Sequence, residues 1–257
     1  MCNRYTSPEI REVEAFWHIG RSNSVPWART LVPRAMGPFL RAWDGPGVDL
    51  VTGQWGMIPR DSLDRTPRKK PLPGKKQGAP LSTNNARAEG LDKTWTYRFA
   101  WSEGKRCLIP ALWFVEPNWE SLKNEWWQFR RADGRPWALA GIWNEWTDPA
   151  SGEVVPNYSM ITINANAHPL MSRMHKPEVD PVTKQTLPLA QQDKRSVVSI
   201  ESTDFDQWLH GTVEQARALL RLSPVETFDA RPEPVQPKPE PNQVYEDLFS
   251  SPPKEPD

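Results

Sequence analysis

The stretch KRCLIPALWFVE, residues 105–116, decides how this chain is read. It opens on two cations, continues through apolar, aromatic and β-branched side chains, and ends in a single acid, Glu116. A run this apolar and this short predicts a buried β-strand. Three more stretches share its character: DLVTGQWGMIP (49–59), WALAGIWNEW (137–146) and NYSMITINAN (157–166). Glycines and prolines bound them, the usual punctuation between strands. Helical patterning is scarcer. SPEIREVEAFWHI (7–19) starts on a Ser-Pro signal and spaces Ile10, Val13, Phe16 and Trp17 along one face. STDFDQWLHGTVEQARALLRL (202–222) is a second helical stretch, broken near Gly211. The expectation is one α+β domain on a mainly antiparallel sheet, covering residues 1–230.

Working outward, RTPRKKPLPGKKQGAP (65–80) reads as an exposed loop. Residues 231–257 are rich in proline and acids and lack the apolar content for a core, so they read as a disordered tail. From Pro224 onward eight acids face three bases, leaving residues 1–223 with a charge of +5 within a chain of net charge zero. A basic body with an acidic tail is compatible with phosphate binding. The 257 residues are 37% hydrophobic and 25% charged, the balance of a globular domain with a real core. No apolar run reaches the ~18 residues of a membrane span, and no signal-peptide core opens the chain, so the expected location is cytoplasmic and no membrane partner is expected. Cys2 and Cys107 form no zinc spacing, and the four histidines are scattered, so no metal and no cofactor are expected. Most of the fourteen tryptophans are assigned to packing, with a few left to stack on unpaired bases.

Cys2 follows the initiator directly. If Met1 is removed, the chain begins with a thiol and an amine on adjacent carbons. Their reference pKa values, ~8.5 and ~7.7–8.0, leave both partly nucleophilic near neutrality. The amine condenses with an aldehyde to an imine, and the thiol closes on the imine carbon to give a thiazolidine. In STNNARAEG (82–90), Asn85, Arg87 and Glu89 alternate, so an extended backbone would put an amide, a guanidinium and a carboxylate on one face. Glu116, at the end of its apolar strand, is placed for proton transfer. His175 lies among basic residues in MSRMHKPE (171–178), with His168 in NANAHPL as the competing histidine. On these residues alone, an N-terminal-nucleophile amidohydrolase or amidotransferase and a non-catalytic module that binds single strands both remain open.

The ordered set MCNRY, QWGMIP, NNARAE, RCLIPALWFVE, ALAGIWNEW, MITINAN and RMHKP followed by KRSVV resembles the SOS response-associated peptidase family over residues 1–230. The resemblance implies a barrel-like, mainly antiparallel core with flanking helices. It also implies covalent protection of abasic sites in single-stranded DNA during the DNA damage response, by a monomer associated with the nucleoid. Under it, Cys2 is the nucleophile once Met1 is gone, Asn85 orients the N-terminal end, and Glu116 is the acid and base for sugar ring opening and imine formation. His175 assists proton transfer and reversal of the crosslink. Arg4, Arg87 and Glu89 fall to the DNA-contacting surface. The peptidase name corresponds to self-removal of Met1, and a lyase activity is a further expectation. The chain departs from the family at Asn3, where glycine is usual, at Pro117 after Glu116, at RDSLDRTP after QWGMIP, where a tryptophan is common, and in the longer segment after His175.

Overall fold

The computed structural model describes residues 1–19, 25–43 and 47–234. Along them run the strands β1 (Tyr5–Thr6), β2 (Thr30–Leu31), β3 (Met36–Ala42), β4 (Val48–Trp55), β5 (Asn85–Arg87), β6 (Arg106–Ala111), β7 (Trp113–Asn118), β8 (Glu125–Arg131), β9 (Trp137–Thr147), β10 (Val154–Asn164), β11 (Arg195–Val197) and β12 (Phe228–Pro232). Four short helices accompany them: α1 (Ile10–Phe16), α2 (Trp95–Ser102), α3 (Phe205–His210) and α4 (Val213–Ala218).

Five strands close on themselves. The ring runs β10, β4, β3, β6, β9 and back to β10, antiparallel except where β10 meets β4. Closure removes the free edges that an open sheet would leave unpaired. β10 extends past the ring, and its far end takes β5 in parallel on one side and β11 antiparallel on the other. A second, wholly antiparallel sheet has the order β2, β1, β7, β8, β12. One apolar cluster packs α1 to α4 against the barrel through Leu40, Leu108, Trp101 and Trp208. The other joins barrel to sheet through Phe39, Trp55, Ile109, Tyr158, Tyr5, Phe114 and Phe129, and it includes Cys2.

The expected α+β domain with a mainly antiparallel, barrel-like core is therefore what the chain forms. The stretch that looked like one strand is two. At Leu112 the chain leaves the barrel, where Ala111 pairs with Trp137, and enters the second sheet, where Trp113 pairs with Thr6. The amide of Leu112 crosses to the Thr6 carbonyl at 2.7 Å, so the corner keeps its backbone donor satisfied. The first helix starts later than the Ser-Pro signal suggested. Glu9 is its N-cap, in a reciprocal box with Glu12, while the Ser7 amide is taken by the Arg29 carbonyl. The second helical stretch does break at Gly211, and Thr212 caps the helix that follows. The boundary expected at residue 230 falls inside a strand, because β12 pairs with β8 as far as Pro232. Residues 235–257, the rest of the expected tail, lie outside the described residues.

Candidate active site

Glu116 sits near the end of β7, on the edge that β1 shares. β1 covers only the first part of that edge. Its last contact is Val115 N–H donating to the Arg4 carbonyl at 3.0 Å. One step further, Pro117 has no N–H to offer a neighbour. Its carbonyl accepts instead from the His175 amide at 2.7 Å, and Met174 bridges to Asn118. The N-terminal segment and the His175 segment thus share one edge of β7 in succession, with Glu116 at the seam.

That placement builds a tight polar cluster. Glu116 is buried, 1% exposed, and its Oε2 lies 2.9 Å from His175 Nε2. The α-ammonium of Met1 contacts the same Nε2 and lies 3.5 Å from Glu116 Oε2. Three groups able to hold a proton therefore meet at one point. Burial by itself pushes the Glu116 carboxyl up, but the Met1 ammonium and His175 outweigh it and hold the group below the usual carboxylate range. Two polar atoms of the cluster, Glu116 Oε1 and His175 Nδ1, are buried with no hydrogen-bond partner, leaving capacity for a ligand.

Cys2 lies beside this cluster and is fully buried. Its Sγ–H donates to the Arg4 carbonyl at 3.4 Å. Burial, and second the charge of Glu116, push the thiol up to about 12, so it is held protonated. The Cys2 carbonyl is gripped by two amides: Asn85 Nδ2 donates at 2.7 Å and Asn84 Nδ2 at 3.1 Å. Ser82 Oγ–H donates to Asn84 Oδ1 at 2.9 Å and sets that amide's orientation, while Asn84 also reaches Asn3 Oδ1 at 3.1 Å. Both asparagines are fixed by the barrel, since Met160 N–H donates to the Asn84 carbonyl and β5 pairs along β10. Asn85 Oδ1 is buried and unpartnered, a free acceptor close to the Cys2 backbone.

Cys2, Asn85, Glu116 and His175, far apart in sequence, are thus brought together. Asn84 joins them and was not singled out by sequence. The signal that could have found it is the doubled Asn-Asn at 84 and 85. His168 is elsewhere engaged. Its Nδ1 accepts from the amides of Leu170 and Met171, and its Nε2–H donates to the Ser223 carbonyl at 2.9 Å. The single face expected for Asn85, Arg87 and Glu89 ends at Arg87, because β5 gives way to a 3-10 turn over Ala88–Gly90. Glu89 turns to Arg195, which it holds by two contacts at 2.8 and 3.0 Å. Arg4 and Arg87 reach the surface, each paired with a carboxylate: Arg4 with Glu233 at 2.5 Å, and Arg87 with Asp193. Arg4 also lies over the exposed ring of Trp126, with its guanidinium carbon 5.4 Å from the ring centre. Around them lies a groove of about 760 Å³ lined by Arg4, Glu125, Trp126, Pro232 and Glu233.

The whole described architecture, site included, falls inside a match to the family described as SOS response associated peptidase, which covers residues 1–238. The chain belongs to that family. A protein of Xenopus tropicalis described as abasic site processing protein HMCES is 24% identical over 163 residues, which is 56% of this chain and 45% of that protein. This chain thus spans less than half the length of that relative. Among solved structures, one from Bordetella bronchiseptica is 29% identical with a TM-score of 0.72, covering 90% of this chain and 99% of its own. A Bacteroides thetaiotaomicron protein shares the fold at 17% identity, with a TM-score of 0.65 over 90% of this chain and 91% of its own. Among the described residues no helix is long and apolar enough to cross a membrane, and no group of three or more His, Cys, Asp or Glu side chains could hold a metal ion.

Proposed function

We propose that this member of the family processes abasic sites in single-stranded DNA by forming a thiazolidine between Cys2 and the lesion sugar after Met1 is removed. The observation that carries the reading is the meeting of a chain-terminal amine with Glu116 and His175 beside the Cys2 thiol. The name of the Xenopus relative supports the substrate.

In this reading, loss of Met1 makes the Cys2 nitrogen the terminal amine, on the carbon next to the one that bears its thiol. Glu116, in its carboxylate form, takes the proton of the C1 hydroxyl as the bond from C1 to the ring oxygen breaks, and returns it to the released oxygen, leaving the aldehyde and a free hydroxyl. The amine adds to the aldehyde carbon, forming an N–C bond. The resulting carbinolamine loses its hydroxyl as water, with His175 or protonated Glu116 supplying the proton. The thiol sulfur then adds to the imine carbon, its proton ending on nitrogen, and the five-membered ring is closed. No redox partner is needed. Asn84 and Asn85 hold the Cys2 carbonyl throughout, which fixes the amine and thiol relative to Glu116. Reversal runs through the same proton transfers. Arg4 and Arg87 exchange their carboxylate partners for backbone phosphates, and Trp126 supplies a face for a base.

The test is direct. Processed protein, its N-terminal Cys2 confirmed by mass, is incubated with single-stranded DNA carrying one abasic site. An adduct that survives denaturation and disappears in Cys2→Ala is expected. Absence of any adduct from protein with a free N-terminal cysteine overturns the reading.

A further inference from the structure

His175 holds its place at a backbone conformation that its residue type disfavours. Its φ is +64°, a left-handed geometry in which a β-carbon crowds the chain. Such a turn persists only where its surroundings impose it. On one side the His175 amide is tied to Pro117. On the other, two successive carbonyls converge on a single cation: Lys194 Nζ donates to the Met174 carbonyl at 2.8 Å and to the His175 carbonyl at 2.6 Å.

Lys194 is an unusual choice for that location. It is only 5% exposed, and among the described residues no carboxylate lies within ion-pair distance of its ammonium. An ammonium buried with no carboxylate in contact is costly even with the charge of Glu178 acting on it from farther off, and a methionine or leucine would fill the space more cheaply if filling were the need. Burial lowers its affinity for a proton, as expected of a desolvated cation. What lysine supplies is several donors on one atom, which is what gathering two carbonyls requires. The base of the side chain is rigid. The Lys194 amide donates to Asn166 Oδ1 at 2.9 Å, and its carbonyl accepts from Ala165 N–H at 2.7 Å, next to the β10–β11 pairing. A path of short contacts therefore runs from the barrel, through Lys194, to the turn that carries the His175 ring.

We propose that Lys194 is a positioning residue for the proposed crosslinking chemistry, holding the left-handed turn that presses His175 against Glu116. The proposal rests on the functional reading above for its kinetic test, and carries a second test that does not. At saturating abasic single-stranded DNA, Lys194→Met is expected to slow adduct formation roughly tenfold to a hundredfold, the range for misplacement of a catalytic group. Affinity for an undamaged strand of the same length stays within about twofold. In a His175→Ala background the same change has no further effect, because its influence passes through that ring. If Lys194→Met fails to fold, Lys194→Gln replaces it. The glutamine amide is one atom shorter and reaches at most one carbonyl, so a smaller loss with the same dependence on His175 is expected. Either variant reacting at the wild-type rate, or losing rate equally in the His175→Ala background, overturns the proposal. Independently of DNA, the His175 ring resonances, assigned with His175→Ala, should move toward free-imidazole positions in the Lys194 variant. Ring resonances that stay at their wild-type positions overturn the proposal even if no wild-type adduct forms, and the absence of wild-type adduct tells only against the functional reading.

Discussion

His175 Nε2 stands 2.9 Å from Glu116 Oε2, although 58 residues separate the two in the chain and β7 carries only one of them. The pair exists because the His175 amide continues the edge of β7 that β1 abandons. The acid and the imidazole are therefore positioned by main-chain pairing, and their chemistry can be probed without disturbing the scaffold.

Glu116→Gln keeps the shape and one acceptor while removing the charge and the exchangeable proton. Adduct formation should fall by about 10²-fold or more, the usual range for loss of a general acid or base. A quenched time course resolved on a denaturing gel measures it. A wild-type rate in this variant would remove Glu116 from the chemistry.

The same substitution has a signature in acid. The Glu116 carboxyl is held below its ordinary range in the folded chain, so its ionisation adds stability that is fully present above the unfolded-state value of ~4.3. That contribution is lost as pH falls through the folded-state value. Melting temperatures of wild type should therefore drop more steeply than those of Glu116→Gln below about pH 4, with the two curves converging. Parallel curves would mean that the carboxylate is not stabilised by its neighbours.

Asn84 and Asn85 can be ranked. Asn85 makes the shorter bond to the Cys2 carbonyl, 2.7 Å against 3.1 Å, and is expected to matter more. Loss of one such bond is worth about 1 kcal/mol, or roughly fivefold in rate. Asn85→Ala should show at least that loss, Asn84→Ala a smaller one, and the double variant a combined effect that departs from additivity, because both amides hold one atom. Single-turnover rates at saturating DNA provide the comparison.

His168 and His175 should separate cleanly. Removing His168 leaves the buried amides of Leu170 and Met171 and the Ser223 carbonyl without a partner, a loss of about 1–3 kcal/mol in stability. Urea unfolding should report it, while the rate of adduct formation in folded protein stays near wild type. His175→Ala should do the reverse, slowing the reaction with a smaller effect on unfolding.

Arg4 and its carboxylate partner predict opposite changes. Arg4→Ala should weaken binding to single-stranded DNA and reduce the slope of log affinity against log salt by about one contact. Glu233→Gln removes the anion that holds Arg4 at 2.5 Å and should strengthen binding. Fluorescence anisotropy over a salt series distinguishes the two. Tighter binding by Arg4→Ala would exclude a phosphate contact there.

Much of this was legible in the sequence, for identifiable reasons. β9 and β10 were expected because long runs of β-branched and aromatic residues bounded by breakers have few other outcomes. β8 was not anticipated, since EWWQFRR carries charges at both ends and of its apolar residues only Phe129 is fully buried. The split at Leu112 was invisible, because apolar content continues unbroken while the hydrogen-bond partner changes from β9 to β1. In the site, Cys2, Asn85, Glu116 and His175 carried motif signals, but the contact geometry did not. Nothing in local sequence says that Pro117, by lacking an N–H, would leave its edge to a histidine 58 positions later. Lys194 was hidden for a similar reason: a lysine beside an arginine looks like surface charge until the fold buries it.

The seal over Cys2 has a consequence for handling and for timing. A sulfhydryl with no exposed surface and a strong hold on its proton presents little thiolate to peroxide, to disulfides or to stray carbonyl compounds. The unprocessed chain is in effect a masked reagent, preserved by packing and not by cellular reductants. Under the proposed function, loss of Met1 then sets the moment at which the Cys2 amine and thiol can act together.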